Sequence, residues 1–523
     1  MNDDSSLGGF ALRKSTRKAT AVATVFLALV AACSPGDATH PALSSSGKAT
    51  QAPATQAPTP DAATPSKPPE AAPATDFTKV SKLINDAIAA DKLPGAVLVI
   101  GHGGNVVFHQ AYGSRKLDGE PGLDGLPAAG EPMTEDTIFD LASLTKSLAT
   151  ATAVMQLFEQ GKVAFDDPVQ QYLPEFNAAN DPRRAEVTVR MLLTHTSGET
   201  GDVDLGDPWG LDEADKAEGI HRALTTPLES APGQGFRYSD INFILLGALI
   251  EKVAGEALDV YAQRYVFDPL GMKDTRYLPP VKACGPHTTI GAAIAWAPRP
   301  QGQAQDSCPA GSWDTDLLSR IAPTARDEEG RAEPAKNPDL DRLLRGTVQD
   351  TTARRMGGVA GHAGVFSTAH DVGVFSQALL DRLAGRPSQF PLTQATLELM
   401  TAPQQPGHTP QQVKAANDAT RAAVAKSPSR SDPLLAPRYP AIAGQNLRGF
   451  GWDIDTGQST ARGMVFPVGS FGHTGFTGTS LWLDPTSDTY LVLLSNSIHT
   501  RGSPPMTNLR GDVATATAQA LQL

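Results

Sequence analysis

The sequence predicts an α+β fold in which an antiparallel sheet built from both chain ends is flanked by helices and carries an inserted helical lobe. Short β-type runs gather near the two ends, at 97–100 and 106–112 and again at 451–455, 470–473, 479–483 and 489–494. Helical periodicity dominates between them, over 143–160, 187–193, 242–253 and 371–383, and returns in a last helix over 508–521. The stretch from residue 76 onward is roughly three times the usual domain size, which leaves room for one core, a second lobe and several insertions. Lobes of that kind leave a cleft between them.

Taken in order, residues 1–33 read as an export leader. Arg13, Lys14, Arg17 and Lys18 precede an uncharged run from Ala19 to Ala32 that is too short to span a bilayer well. Val30-Ala31-Ala32-Cys33 resembles a bacterial lipobox, in which the cysteine is lipidated and becomes the mature N-terminus. The alternative is an ordinary signal peptide with Cys33 incidental. Ser34 after the cysteine resembles lipoproteins sorted to an outer membrane. The expected location is therefore the cell envelope, lipid-anchored, and the periplasmic face of the outer membrane if the host is Gram-negative.

Removing that leader takes away four basic and two acidic residues, so the formal charge falls from −12 to −14. Nucleic acid is excluded as a sensible partner for so acidic a chain. With Cys33 lipidated, Cys284 and Cys308 remain; in an oxidising compartment they either close a disulfide or stay as two thiols. Residues 34–75 are rich in Pro, Ala, Thr and Ser without apolar periodicity, and form a tether rather than a domain.

The folded region, 76–523, opens with a helix capped by Asp76 whose apolar face is Phe77, Val80, Leu83, Ile84, Ala87 and Ile88. A hairpin turning at 101–104 follows. Aperiodic, Gly/Pro-rich stretches at 116–132, 199–217, 282–339 and 403–447 read as surface insertions. No metal-ligand spacing, phosphate loop or G-x-S-x-G elbow is present, so no cofactor or metal is expected.

The chemistry centres on Asp140-Leu141-Ala142-Ser143-Leu144-Thr145-Lys146-Ser147. Residues i and i+3 share a helix face, so the Ser143 hydroxyl and the Lys146 amine can meet as nucleophile and base. Desolvation of Lys146 is expected to lower its pKa and suit it to that role. The S-x-x-K pattern also occurs at Ser15–Lys18 and Ser45–Lys48, but only Ser143 precedes an apolar helical run, through Leu148, Val154, Met155, Leu157 and Phe158. Two further stretches matter: Arg237-Tyr238-Ser239-Asp240-Ile241-Asn242, a tyrosine in a turn before a helix, and Phe471-Gly472-His473-Thr474-Gly475-Phe476, a strand ending in His-Thr-Gly.

In chain order, S-x-x-K, then Y-x-N/D, then K/H-T-G resembles the penicillin-recognising serine hydrolases, and within them the class C β-lactamase and D-alanyl-D-alanine carboxypeptidase-like family. The resemblance runs over about residues 77–520 and includes Leu192-Leu193-Thr194-His195-Thr196-Ser197-Gly198. The stretches Arg345-Gly346-Thr347-Val348-Gln349-Asp350 and Gly357-Gly358-Val359-Ala360-Gly361-His362-Ala363-Gly364-Val365-Phe366-Ser367 are similar to the penicillin-binding protein 4B-like branch. The resemblance implies a β-lactamase/transpeptidase-like fold and acyl transfer through a covalent ester on Ser143. It implies that Lys146 and Tyr238 move the proton and that the backbone N–H groups of Ser143 and Phe476 hold the oxyanion. It places Asp240, His473, Thr474, Gly475 and His362 at the substrate, His473 and Thr474 where a carboxylate binds.

Plainer roles stay open for several of these. Ser143 can be a helix cap with Lys146 a solvated charge, Tyr238 a core side chain, His473 a strand-end residue, Asp240 a helix cap and His362 a loop brace. His195 reads as structural. The expected function is a serine hydrolase of carboxypeptidase, D-peptidase or esterase type on a peptidoglycan peptide or related small amide or ester. The alternatives are a true β-lactamase and a penicillin- or wall-binding lipoprotein that does not turn over. Histidine and aspartate, standing at 473 and 240 where the family commonly carries lysine and asparagine, weaken the β-lactamase alternative.

Overall fold

The structure is a computed structural model. It describes residues 75–523 apart from 124–125, 212–213, 279–287, 291–292, 297–315, 330–336, 338–339, most of 405–445, and 504–505. Cys33, Cys284, Cys308, the leader and the tether lie outside the described residues.

Among the described residues fifteen strands can be numbered in chain order. They are β1 Gly95–His102, β2 Asn105–Lys116, β3 Glu131–Pro132, β4 Ile138–Asp140, β5 Arg276–Tyr277, β6 Thr288–Ile290, β7 Ala293–Trp296, β8 Ala325–Arg326, β9 Leu343–Leu344 and β10 Val365–Thr368. The series ends with β11 Leu447–Arg448, β12 Asp453–Asp455, β13 Phe471–Thr474, β14 Ser480–Asp484 and β15 Thr489–Ser495. Six helices position the site: α1 Thr78–Ala89, α2 Thr152–Glu159, α3 Val189–Thr194, α4 Asp240–Ala254, α5 Ala369–Leu383 and α6 Thr507–Ala520.

The two chain ends form one antiparallel sheet of eight strands, ordered β11-β12-β13-β14-β15-β1-β2-β3, as the sequence predicts. The central contact pairs Val99 of β1 with Val492 of β15. Alternation along β1 explains why all but its last residue is buried. Ala96, Leu98 and Ile100 join Val80, Leu83 and Ile84 of α1 and Val513 and Ala514 of α6 in one cluster. Val97 and Val99 point the other way, into the larger core with Phe375 and Leu379 of α5.

The inserted lobe is helical but not purely so. Its core helix α4 is buried at every position from Ile241 to Ile250, so it shows no solvent stripe. A three-stranded sheet ordered β4-β10-β5 lies in this part of the chain and was not expected from its sequence. Its strands are two to four residues long, too short to show alternation.

Two of the stretches expected to be surface insertions also hold buried, paired groups. Strands β6 to β9 form a four-stranded sheet of their own. Asp327 is buried because Arg354 donates to it at 2.9 Å and to Glu329 at 2.9 Å. Lys116 is fully buried because its ammonium donates to the carbonyls of Leu117, Glu120 and Ala128 at 3.1 to 3.2 Å. Such segments are interior through mutual pairing of polar groups, which leaves no apolar period to read.

Candidate active site

Strand β4 leads into Ser143. After Asp140 the chain turns sharply, with Ala142 at φ 47°, a left-handed conformation that a residue with a Cβ adopts only when its surroundings demand it. The demand comes from Asp140, whose buried carboxylate accepts from the Ala142 N–H at 2.9 Å and from the Gln349 N–H at 2.7 Å. Burial pushes that carboxyl up to about 6. Ser143 therefore sits in the turn itself, and the expected single helix over 143–160 is a π-helical segment, Lys146–Ala151, continued by α2. A π-helical turn beside a functional group is a recurring device for aiming a side chain.

Lys146 is fully buried and donates to Ser143 Oγ at 2.9 Å and to the His362 carbonyl at 3.0 Å. Its third neighbour is the Asp240 carboxylate, 2.7 Å away. Burial alone would push the amine down, as expected from the sequence, but Asp240 and then Tyr238 override it and hold Lys146 well above the ordinary lysine range. Resting Lys146 is an ammonium. Asp240 is accordingly turned to Lys146 rather than to the substrate space, while its N–H donates to the Gly201 carbonyl at 2.6 Å and it opens α4.

The Tyr238 ring lies beside Lys146, whose ammonium is 5.1 Å from its centroid, and burial raises its phenol in spite of the cation. Its ring stacks on His195 at 4.5 Å. His195 ends α3 in a left-handed conformation, and its Nδ1 meets the Ser239 N–H and the Asn242 amide, each at 3.2 Å. The Leu192–Gly198 stretch thus clamps the tyrosine turn, in keeping with a structural His195.

The third motif is docked onto the first. Thr477 Oγ1 donates to the Asp140 carbonyl at 2.8 Å and Thr479 Oγ1 to the Leu141 carbonyl at 2.9 Å. A Cβ at Gly475 would stand 2.1 Å from Thr479 Oγ1 and 2.5 Å from the Leu141 carbonyl, so only glycine lets the two turns touch. Among the described residues neither the Ser143 N–H nor the Phe476 N–H meets an acceptor, which leaves both available to an oxyanion.

Ser143, Tyr238, His473, Thr474, Gly475 and Phe476 line one cavity of about 430 Å³. Phe476, Ile498 and Ser503 also border a second cavity of about 390 Å³, so the cleft continues past the exposed Phe476 ring. His362 does not line the first cavity. Its ring meets Asp350 at 2.8 Å, and although burial opposes the charge, Asp350 outweighs it and raises the imidazole. Gly361 beside it packs against the α4 backbone, where a Cβ would lie 2.0 Å from the Phe243 carbonyl. The glycine-rich stretch packs against Lys146 through the His362 carbonyl.

His473 lines the cavity but differs from a carboxylate anchor. Its Nδ1 donates to the Thr474 carbonyl at 2.8 Å, leaving Nε2 as an acceptor. Burial, then the positive charges of Arg448 and Lys146, lower its pKa well below the ordinary value. The cation in this cavity is Arg510, on α6, which sequence reasoning missed. It donates to the Gly475 and Thr479 carbonyls at 2.7 and 3.0 Å, and among the described residues no carboxylate meets it. Burial pushes it down to about 10, so it stays charged at neutral pH. A signal was present: Arg510 falls at i, i+3, i+4 and i+7 spacing with Val513, Ala514 and Thr517, all buried.

A hydroxyl, an adjacent amine, a phenol and two unpaired amides around one point can open a carbonyl. Residues 80–515 match the Beta-lactamase family. The chain belongs to the Beta-lactamase family. It is accordingly a serine hydrolase. The N-acetylmuramyl-L-alanine amidase of Bacillus subtilis (strain 168) is 30% identical over 444 residues, covering 82% of this chain and 83% of that one. A protein of Escherichia coli (strain K12) named "Putative D-alanyl-D-alanine carboxypeptidase" is 28% identical over 429 residues, covering 79% and 81%. Among solved structures, simvastatin synthase from Aspergillus terreus aligns with a TM-score of 0.55 at 22% identity, over 85% of this chain and 98% of that chain. That likeness concerns the β-lactamase fold, which the three motifs share.

Proposed function

We propose that this Beta-lactamase family member is a D,D-carboxypeptidase or related D-peptidase or esterase that cleaves a cell-wall peptide through an acyl-enzyme on Ser143. Ser143 Oγ attacks the carbonyl, the oxyanion rests on the Ser143 and Phe476 amides, and the amine or alcohol leaves with a proton passed through Lys146 and Tyr238. Water then hydrolyses the ester. The observation that carries this reading is the 2.9 Å contact from Lys146 to Ser143 Oγ, at the mouth of a cavity that also holds Arg510. A guanidinium paired only with carbonyls is suited to a substrate's terminal carboxylate. The printed names of the amidase and carboxypeptidase relatives support a peptidoglycan substrate.

The same reading includes export and lipidation at Cys33, with residues 34–75 as the tether of an enzyme held in the cell envelope. Two probes used together test the acyl-enzyme. Purified protein is treated with a labelled penicillin and with an activated ester, and the mass of the intact chain is followed. Label that appears on Ser143 and is lost over time, and is absent from Ser143→Ala, is the expected result. Label that never leaves favours a non-turnover binding protein, and fast loss of penicillin over ester favours a β-lactamase.

A further inference from the structure

In the resting site, Lys146 donates to the nucleophile instead of accepting from it. An ammonium has no lone pair, so the serine proton cannot pass to Lys146 until one of its own has gone elsewhere. The neighbour positioned to receive it is Asp240, 2.7 Å away, with its side chain 23% exposed while that of Lys146 is wholly buried. Other groups face Asp240 from each element around it. Tyr238 lies in the turn before α4, His362 in the glycine-rich stretch and Asp202 in the segment after Gly201. Asp350 in turn neutralises His362 at 2.8 Å. With His362 engaged by Asp350, Asp240 is the anion left to Lys146.

We propose, on the basis of the acyl-enzyme reading above, that Asp240 acts through Lys146 as the acceptor that empties it. Substrate filling the cavity lined by Ser143 and Tyr238 removes water beside the pair, and in a dry site a neutral amine and carboxylic acid are favoured over two charges. Lys146 passes one proton to Asp240 and takes the Ser143 proton as Ser143 Oγ bonds to the carbonyl carbon. The result is an oxyanion, a Lys146 ammonium and a protonated Asp240, with the same total charge as before. On collapse, the carbon to leaving-group bond breaks, Lys146 gives its proton to the leaving amine or alkoxide, and the Asp240 proton returns to Lys146.

The test is the pH profile of kcat/KM for a neutral p-nitrophenyl ester from pH 4 to 11, with Ser143→Ala as the blank. In the wild type Asp240 holds a place for the Lys146 proton, and the acid limb measured there is the reference for the variants. In Asp240→Asn, activity requires Lys146 itself to lose its proton, so the acid limb moves up by at least about 2 pH units. Activity at pH 6 then falls by more than about 100-fold and returns in alkali. Asp240→Ser, which removes the acid by a different change of shape, gives the same displacement, and Asp240→Glu restores the wild-type limb. An acid limb left in place in both variants overturns the proposal. So does a limb moved to lower pH, which follows if a Tyr238 phenolate beside a permanent Lys146 cation takes the proton, because removing Asp240 favours that phenolate. Wild-type hydrolysis equal to the Ser143→Ala blank marks failure of the acyl-enzyme reading instead.

Discussion

The guanidinium of Arg510 donates to the carbonyl of Gly475 at 2.7 Å, so the last helix of the chain holds the turn that presents the Phe476 amide. One side chain thereby has two duties, bracing the turn that carries the proposed oxyanion donor and supplying positive charge to the cavity. Separating them is the first use of mutagenesis. Arg510→Gln keeps a hydrogen-bond donor and removes the charge. It should raise KM for substrates ending in a free carboxylate by about 10-fold, the value of one charge-assisted hydrogen bond. Neutral esters should change by less than about 3-fold. Equal losses for both substrate types would assign Arg510 to the turn alone.

Gly475→Ala tests the docking of the two turns. The added Cβ would meet Thr479 Oγ1 at 2.1 Å and the Leu141 carbonyl at 2.5 Å, and must push the Phe476 amide away from Ser143. Loss of one oxyanion donor costs about 100- to 1,000-fold in kcat. The expected variant is folded, by its thermal transition, and nearly inactive, with KM little changed. Wild-type turnover would show that the Phe476 amide is not used.

His473 should be silent in the range where a free histidine titrates. Its folded pKa is depressed, so below the unfolded value of about 6.5 the unfolded chain takes up a proton that the folded one does not, and stability is lost as pH falls. The slope is about 1.4 kcal/mol per pH unit for one such group. His473→Gln should flatten the fall in urea stability between pH 6.5 and 5.5 by about 1 kcal/mol, since the unfolded imidazole is only half protonated at the upper end. An unchanged slope, or an imidazole seen by NMR to titrate near 6.5, would contradict a neutral buried ring.

Lipidation predicts that the mature protein partitions into detergent and begins at a modified Cys33, whereas Cys33→Ser stays aqueous or unprocessed. Mass analysis decides it. An unmodified N-terminus downstream of residue 33 would remove the anchor.

Which of these features could be read from sequence follows from how far apart their partners lie. Ser143 with Lys146, and Tyr238 with Asp240, are local pairs, so spacing alone brought each pair together. The sheet from both ends was legible because β1, β14 and β15 are long enough to show apolar runs. The charge state of Lys146 was not, because burial and Asp240 act in opposite directions and only geometry says which wins. Arg510, Arg354 and Lys116 were missed for a related reason. Each is interior through bonds to distant carbonyls or carboxylates, and composition reads a lone cation as surface. The short strands β4 and β10 escaped because three or four residues carry no period, although β4 is what aims Ser143.

Pairing β1 with β15 has a consequence for when the enzyme comes to life. A chain still emerging from its ribosome or from a translocation pore already carries Ser143 and Lys146, yet it lacks the strand that presents Phe476 and the helix that carries Arg510. Val99 cannot find Val492 until nearly the whole chain has been delivered, and contacts so distant in sequence form late. Delivery of the segment that carries β13 to α6 is therefore the arming step, and a chain that has Ser143 and Lys146 alone is chemically inert.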